Sequence, residues 1–267
     1  MEKGLVPVSL LLGPRSFSVG PEEPIEAVRR IMRDYGTRVV AVIEGNRLLG
    51  VVERADVLAI TSTRSEAKAK DLAAIPRVTL SSSTDLQRSL RAMLEAEEWY
   101  APVMEGSEFL GFFGLEDAVA YAAKVMKGTL QKVKLGQIMK EPVAVREDEP
   151  VSSIWRLMRE LRHTGVPVVN EKGAIVGIVT QYDLLRKGYA RIHMEAARGP
   201  AKVPRARTVM TRPCTYLYPH SSALEATSIM INRNIARVPV AEGDKTRKLV
   251  GLVDRESLAR LVMESLG

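Results

Sequence analysis

Pro142-Val-Ala-Val145, Val151-Ser-Ser-Ile-Trp-Arg-Leu-Met158, Val166-Pro-Val-Val169 and Ala174-Ile-Val-Gly-Ile-Val-Thr-Gln-Tyr-Asp-Leu-Leu185 follow one another within 44 residues, and together they decide the fold. The first is β-rich. In the second, Val151, Ile154, Trp155, Met158 and Leu161 recur at steps of 3, 1, 3 and 3, one apolar helical stripe. Pro150 fits a first helical turn, and Gly165 can end the helix. The two later runs flank Asn170-Glu-Lys-Gly173, a hairpin signal, and Tyr182 opens a second helix. The unit is β-α-β-β-α. A Met and Trp stripe at this spacing is core packing.

The same unit recurs through the chain. Helical cores are predicted at Ile25 to Tyr35, Leu86 to Ala96, Val151 to Arg162 and Leu224 to Asn232. Each carries a methionine at one place: Met32, Met93, Met158 and Met230, spaced by 61, 65 and 72 residues. The glycines opening the later strand, Gly50, Gly111, Gly177 and Gly251, keep steps of 61, 66 and 74. Two independent markers therefore give one period. The copies occupy residues 10–66, 68–126, 133–190 and 205–263.

At 267 residues and 46% hydrophobic content the chain can fill a real core. Its longest apolar runs, such as Leu10 to Leu12 and Val39 to Ile43, are far shorter than the roughly 20 residues of a membrane span. Met1-Glu2-Lys3-Gly4 carries no export signal, so a cytoplasmic location and no membrane partner are expected. Cys214 is the one cysteine, which excludes an internal disulfide and reads as a small buried side chain. Arginine outnumbers lysine 26 to 13, a faint mark of heat adaptation.

The net charge of +7 is uneven. Residues 1–130 carry 16 basic and 18 acidic residues; the remainder carries 23 and 14. Within Leu184 to Arg212, eight basic residues (Arg186, Lys187, Arg191, Arg198, Lys202, Arg205, Arg207 and Arg212) face one acid, Glu195. Ala197 to Arg207, with two prolines and one glycine, reads as an exposed basic connector for an anionic partner, or as a solvated linker.

Ile138-Met139 through Pro142-Val-Ala-Val145, Val166-Pro-Val-Val169 and Gly177-Ile-Val-Thr-Gln-Tyr-Asp-Leu-Leu185 resemble a cystathionine-β-synthase-type (CBS) repeat from end to end, and the other copies match in layout. The resemblance covers nearly the whole chain and implies an α/β (α+β) fold. Four repeats would pair into two modules, residues 1–130 and 131–267, in a flat disc, since a single repeat cannot bury its apolar face. Each half is expected to fold alone with its own paired core, the boundary falling near Gly128-Thr-Leu-Gln-Lys132. Dimerisation also occurs in the family, so a homodimer stays open.

The resemblance also implies a ligand. CBS pairs hold adenosine compounds such as AMP, ATP or S-adenosyl derivatives in the cleft between repeats. A Thr or Ser serves the phosphate, and an Asp three residues later serves the ribose; a carboxylate accepts from both ribose hydroxyls while a hydroxyl donates to phosphate. Only the third repeat has both, as Thr180 and Asp183. The others offer Glu53 with Asp56, Gly114 with Asp117, and Asp254 with Ser257. Glu53 and Asp254 would repel a phosphate. By analogy, adenine is expected against Met139, Pro142, Val143 and the backbone of Val166, Pro167 and Val168. Thr180 and Asp183 also read as a strand end and a helix N-cap, and the resemblance favours the ligand-binding reading. His163 reads as a helix-end histidine facing water.

No catalytic constellation emerges, so no enzyme activity and no required cofactor are expected, with an adenine nucleotide as regulatory ligand. Two functional readings follow. One is an energy sensor resembling the regulatory subunit of AMP-activated kinase, read by a protein partner. The other, placed first, is a ribosome or rRNA partner acting in dormancy or hibernation, as some archaeal four-repeat CBS proteins do.

Overall fold

The computed structural model describes residues 4–14, 16–60, 66–189 and 204–266. Three of the four repeats contain a three-stranded sheet of one design: β1 (Ser18–Val19), β2 (Val39–Glu44) and β3 (Arg47–Glu53); β4 (Leu80–Ser81), β5 (Tyr100–Glu105) and β6 (Glu108–Gly114); β7 (Val145–Arg146), β8 (Gly165–Val169) and β9 (Ile175–Thr180). In each, a short strand pairs parallel with the next, which pairs antiparallel with the third. The fourth repeat keeps the hairpin β10 (Arg237–Ala241) and β11 (Leu249–Asp254), and its first strand shrinks to the parallel bridge Leu217 to Val240.

The helices that cross from short strand to hairpin are α1 (Ile25–Tyr35), α4 (Leu86–Glu95), α8 (Val151–Glu160) and α11 (Ala223–Asn232). The helices that follow the hairpins are α2 (Arg54–Ala59), α5 (Leu115–Val125), α9 (Gln181–Arg186) and α12 (Arg255–Leu266), and the short helices α3 (Ala69–Leu72), α7 (Leu135–Ile138) and α10 (Ala206–Val209) lie in the leaders of repeats 2, 3 and 4. Met32, Met93, Met158 and Met230 are all buried, as their helical spacing requires. Each crossing helix ends in a residue of left-handed conformation: Gly36, Glu97, Arg162 and Asn234, with φ of 67°, 54°, 51° and 50°. The third helix thus stops at Arg162, not Gly165. Gly165 instead opens β8, where a Cβ would come within 3.0 Å of the Thr180 methyl.

The repeated glycines have a packing cause. Gly50, Gly111, Gly177 and Gly251 each adjoin a β-bulge in their own strand, where Leu49, Leu110, Val176 and Val250 are the extra residues. Each receives the leader segment of the partner repeat: Ala73 and Ala74 sit over Gly50, Ser16 over Gly111, Met210 over Gly177 and Met139 over Gly251. A Cβ on Gly177 or Gly251 would lie 2.4 Å from the methionine sulfur, so only glycine admits the contact. Repeats therefore exchange their leaders within each half of the chain, 1 with 2 and 3 with 4.

The apolar cores run the other way. One cluster joins repeats 2 and 4, packing Leu86, Leu90, Met93, Leu115 and Val119 with Ala226, Met230, Leu258 and Val262. A second joins repeats 1 and 3, packing Ile25, Val28, Met32 and Leu58 with Ile154, Trp155, Met158 and Leu184. The expected self-contained core for each half is therefore corrected: both main cores straddle the boundary. The expected boundary at Gly128 to Lys132 lies inside the short helix α6 (Lys127–Lys132), whose Leu130 is buried in the repeat 2 and 4 core.

Candidate functional site

The hairpin ends and helix N-termini of all four repeats converge on a central cavity of about 620 Å³. Its wall carries Arg38, Arg54, Arg233, Arg237 and Arg255 with Asp34, Glu116, Asp117 and Asp183. Register explains the arginines. Arg54 and Arg255 each follow the residue that caps the second helix, and Arg237 opens a hairpin strand, so all three point to the centre rather than the rim.

The buried cations differ in their partners. Arg255 pairs with Glu116 at 2.9 Å and donates to the Tyr100 hydroxyl, which itself donates to Glu116. Burial opposes ionisation of Glu116, yet Arg255 and Arg38 hold its pKa below the ordinary value, while burial pushes the Tyr100 phenol to about 12. Arg54 instead donates to the carbonyls of Gly36 and Thr37 and lies 5.2 Å over the Tyr182 ring. Arg237 donates to the Gly165 carbonyl at 2.6 Å and to the Thr164 hydroxyl. Both are over nine-tenths buried, and the Nε of each finds no partner among the described residues.

Thr180 and Asp183 lie on the cavity wall, and each has an internal job. The Thr180 hydroxyl accepts from the Asp183 amide and donates to Asp183 Oδ2 at 2.6 Å; Oδ2 also accepts from the Thr180 amide. Oδ1 accepts from the Thr211 hydroxyl at 2.7 Å. This is a capping box closed by a threonine from the exchanged leader. Asp56 and Asp117 likewise accept from the amides of Glu53 and Gly114.

Leader exchange also decides where Met139 goes. Met139 lies on the repeat 4 sheet over Gly251, and its neighbour Lys140 bridges to Leu252 and reaches Asp254 at 3.3 Å. Met210 and Thr211 hold the corresponding place beside Asp183. Val166 and Val168 are core residues, and neither they nor Met139, Pro142, Val143 and Pro167 line the cavity. Asp254 is not a bare negative charge: against the opposing effect of burial, Lys140 and Arg237 hold its pKa low.

His163 is partly exposed, but its Nδ1 is buried and finds no partner among the described residues, and burial, helped by Arg237, drops its pKa to about 4. In the unfolded chain the value returns to about 6.5. Below that pH the unfolded state binds the extra proton, so stability should fall as pH drops from 6.5 towards 4. Thermal melts at pH 7 and 4.5 should show a larger loss for the parent than for His163→Gln; equal losses would assign the effect to other groups. Cys214 also lines the cavity, and burial pushes its thiol to about 12.

In the basic segment, Lys187 donates to the Val209 carbonyl and Arg205 to the Asp148 carbonyl. Arg186, Arg207 and Arg212 are exposed. Arg191, Arg198 and Lys202 lie outside the described residues.

Four related repeats around a shared cavity define an α/β tandem-repeat protein. The CBS domain family model matches residues 11–62, 135–189 and 206–264, and the chain belongs to that family. An uncharacterized protein of Methanocaldococcus jannaschii is 26% identical over 93% of this chain and 60% of its own length. A homoserine O-acetyltransferase of Methanococcoides burtonii is 30% identical over 52% of this chain, which spans 26% of that enzyme. The chain thus covers less than two thirds of either relative. A solved structure from Methanocaldococcus jannaschii, described as a candidate archaeal homologue of g-AMPK, superposes with a TM-score of 0.82 at 15% identity. It covers 96% of this chain and 99% of its own, a likeness of fold. Among the described residues, no helix is long and apolar enough to cross a membrane.

Proposed function

We propose that this chain is a non-catalytic regulatory protein that binds an adenosine compound bearing phosphate, such as AMP, ADP or ATP, in the central cavity, with no other cofactor. The observation that carries the reading is the pair of buried guanidinium groups, Arg54 and Arg237, set in a cavity of about 620 Å³ without an ion-pair partner among the described residues. That volume lies within the roughly 300–1,000 Å³ of small-molecule sites. Ribose hydroxyls take over the bond that Thr211 makes to Asp183, and the phosphates meet the arginines. The output is read by a macromolecular partner. A kinase-type protein partner fits the sensor role.

Isothermal titration tests the reading. The parent should bind AMP or ATP more tightly than adenosine. Asp183→Asn should weaken nucleotide binding by about 1.5–3 kcal/mol, the value of a hydrogen bond to a charged group. Unchanged affinity would move the ribose site to Asp117 on the same wall, or to Asp56 outside the cavity, and no binding of any adenosine compound would end the reading. A ribosome or rRNA partner is the second reading, favoured by exposed Arg186, Arg207 and Arg212. Ribosome co-sedimentation should then fall steeply with salt, because each phosphate contact releases counterions; protein that sediments free of ribosomes at low salt sinks it.

A further inference from the structure

Three aromatic rings lie in a row on the leader of repeat 4. Tyr216, Tyr218 and His220 alternate along an extended stretch whose Leu217 is buried and bridges to Val240, so the three share the opposite, outer side. Tyr216 meets Tyr218 edge to face at 5.9 Å, and Tyr218 lies parallel to His220, 3° apart in plane and 5.3 Å between centroids. His220 is exposed, and both tyrosines are partly so. None of the three lines the central cavity.

The repeat does not require them. Val19, Leu80, Val145 and Leu217 hold one place: each pairs in parallel with its hairpin and stands six residues before the crossing helix. Where repeat 4 has Tyr216, the other copies have Ser18, Thr79 and Ala144; for Tyr218 they have Gly20, Ser81 and Arg146, and for His220 they have Glu22, Ser83 and Asp148. Side chains without rings satisfy the fold at all three positions, so the aromatics answer a demand from outside it. Cations border the row along its length. Arg233 donates to the Thr215 hydroxyl beside Tyr216, Lys245 follows the Asp244 that accepts from the Tyr218 hydroxyl, and Lys134 bridges to Ser222 just past His220. Lys132, Arg247 and Lys248 lie exposed on the same neighbouring segments, where the exposed acids are Glu225, Glu242 and the already engaged Asp244. The surface around the rings is therefore cationic.

We propose that this row is a stacking platform for the bases of a single-stranded nucleic acid, with Arg233, Lys245 and Lys134 on its phosphates. An unpaired base offers flat π-faces, and stacking on an aromatic ring is tolerant of which base it is. Tyr218 and His220 already form the first step of such a stack, and exposed His220 is its outer member. Bases therefore add beyond His220, while Tyr216 closes the other end edge-on. A duplex keeps its bases stacked on one another, so it meets the cations but not the rings. The platform lies apart from the central cavity and does not rest on the adenosine reading. Unlike a ribosome contact through Arg186, Arg207 and Arg212, it calls for a free strand.

Fluorescence anisotropy with the full chain tests the platform, using oligouridylate and oligothymidylate of about 12 nucleotides and an RNA duplex of the same length. Both single strands should bind at low salt, and the duplex should bind about tenfold more weakly or worse. Equal affinity for the two strands assigns stacking on any single strand; tighter binding of oligouridylate assigns RNA through its 2′-hydroxyls. Tyr216→Ser with His220→Ser installs residues that other copies carry at these places, so the melt should stay close to that of the parent while oligouridylate binding weakens by about tenfold or more. His220→Tyr, which keeps a ring, should bind at least as tightly as the parent. Lys134→Ser with Lys245→Ser should flatten the slope of log affinity against log salt by about 0.7 for each cation removed. Photo-crosslinking of oligouridylate bearing 5-iodouridine to the parent should attach at Tyr216, Tyr218 or His220, a readout that needs no variant. The proposal is overturned if no single strand binds at low salt, if the duplex binds as tightly, if the serine pair binds like the parent, or if every crosslink falls elsewhere. Ribosome co-sedimentation without oligonucleotide binding leaves the ribosome reading standing and removes this one, and the opposite pattern removes the ribosome reading alone.

Discussion

Residues 131–267 expressed alone should not yield a native monomer. Separation strips α11 and α12 of the surface that α4 and α5 cover, leaving Ala226, Met230, Leu258, Leu261 and Val262 facing water, all buried in the intact chain. It also uncovers Ile154, Trp155, Met158 and Leu184, which pack on α1 and α2. Each of the eight large side chains contributes about 1.5–3 kcal/mol by its burial, so exposing them costs on the order of 10–20 kcal/mol. That matches the entire net stability of a typical domain, about 5–15 kcal/mol. The freed half should pair with a second copy through the same faces, or aggregate. Light scattering after size exclusion should give a dimer or larger species, and co-expression with residues 1–130 should restore a one-to-one complex. A monomeric half with sharp near-UV signals and a Tm within a few degrees of the full chain would refute this account.

The outcome explains what could and could not be read from the chain. The four helices, the four buried methionines and the four bulge glycines were legible because each is a local demand repeated at nearly one period. An apolar stripe requires a cover, and a leader pressed on a strand requires glycine. The pattern names the face that is buried but not the element that buries it. Nothing in Ile154 or Met230 states that its cover comes from α1 or α5 rather than from the adjacent repeat. The surroundings of Met139 were hidden for the same reason: the leader crosses to the partner sheet, so its neighbours are set by long-range exchange.

Thr180 and Asp183 were legible as a pair in the helix-capping role, yet their third member was not. Thr211 sits 28 residues away and reaches the carboxylate only through leader exchange. The arginines of the cavity were missed although a signal existed. Aligning Glu53-Arg54, Gly114-Leu115, Thr180-Gln181 and Asp254-Arg255 places a charged residue in two copies where the other two carry neutral ones. A cation at a position that the fold buries needs either a carboxylate or a ligand.

Arg255 and Glu116 allow the carboxylate half of that rule to be measured. Glu116→Ala removes the ion-pair partner of a guanidinium that is only 7% exposed, and leaves the Tyr100 hydroxyl without its acceptor. Breaking a buried pair from one side costs about 3–5 kcal/mol, and the lower end applies because Glu116 borders the open cavity. For a chain of this length that corresponds to a Tm loss of roughly 6–12 °C. Arg255→Met in the same background removes the stranded charge and should recover more than half of the loss, a coupling that a double-mutant cycle reads directly. If the double variant is as unstable as Glu116→Ala alone, the damage lies in lost packing or in Tyr100, and the charge argument does not hold. If Glu116→Ala melts within 2 °C of the parent, the cavity is wet enough to screen Arg255 by itself.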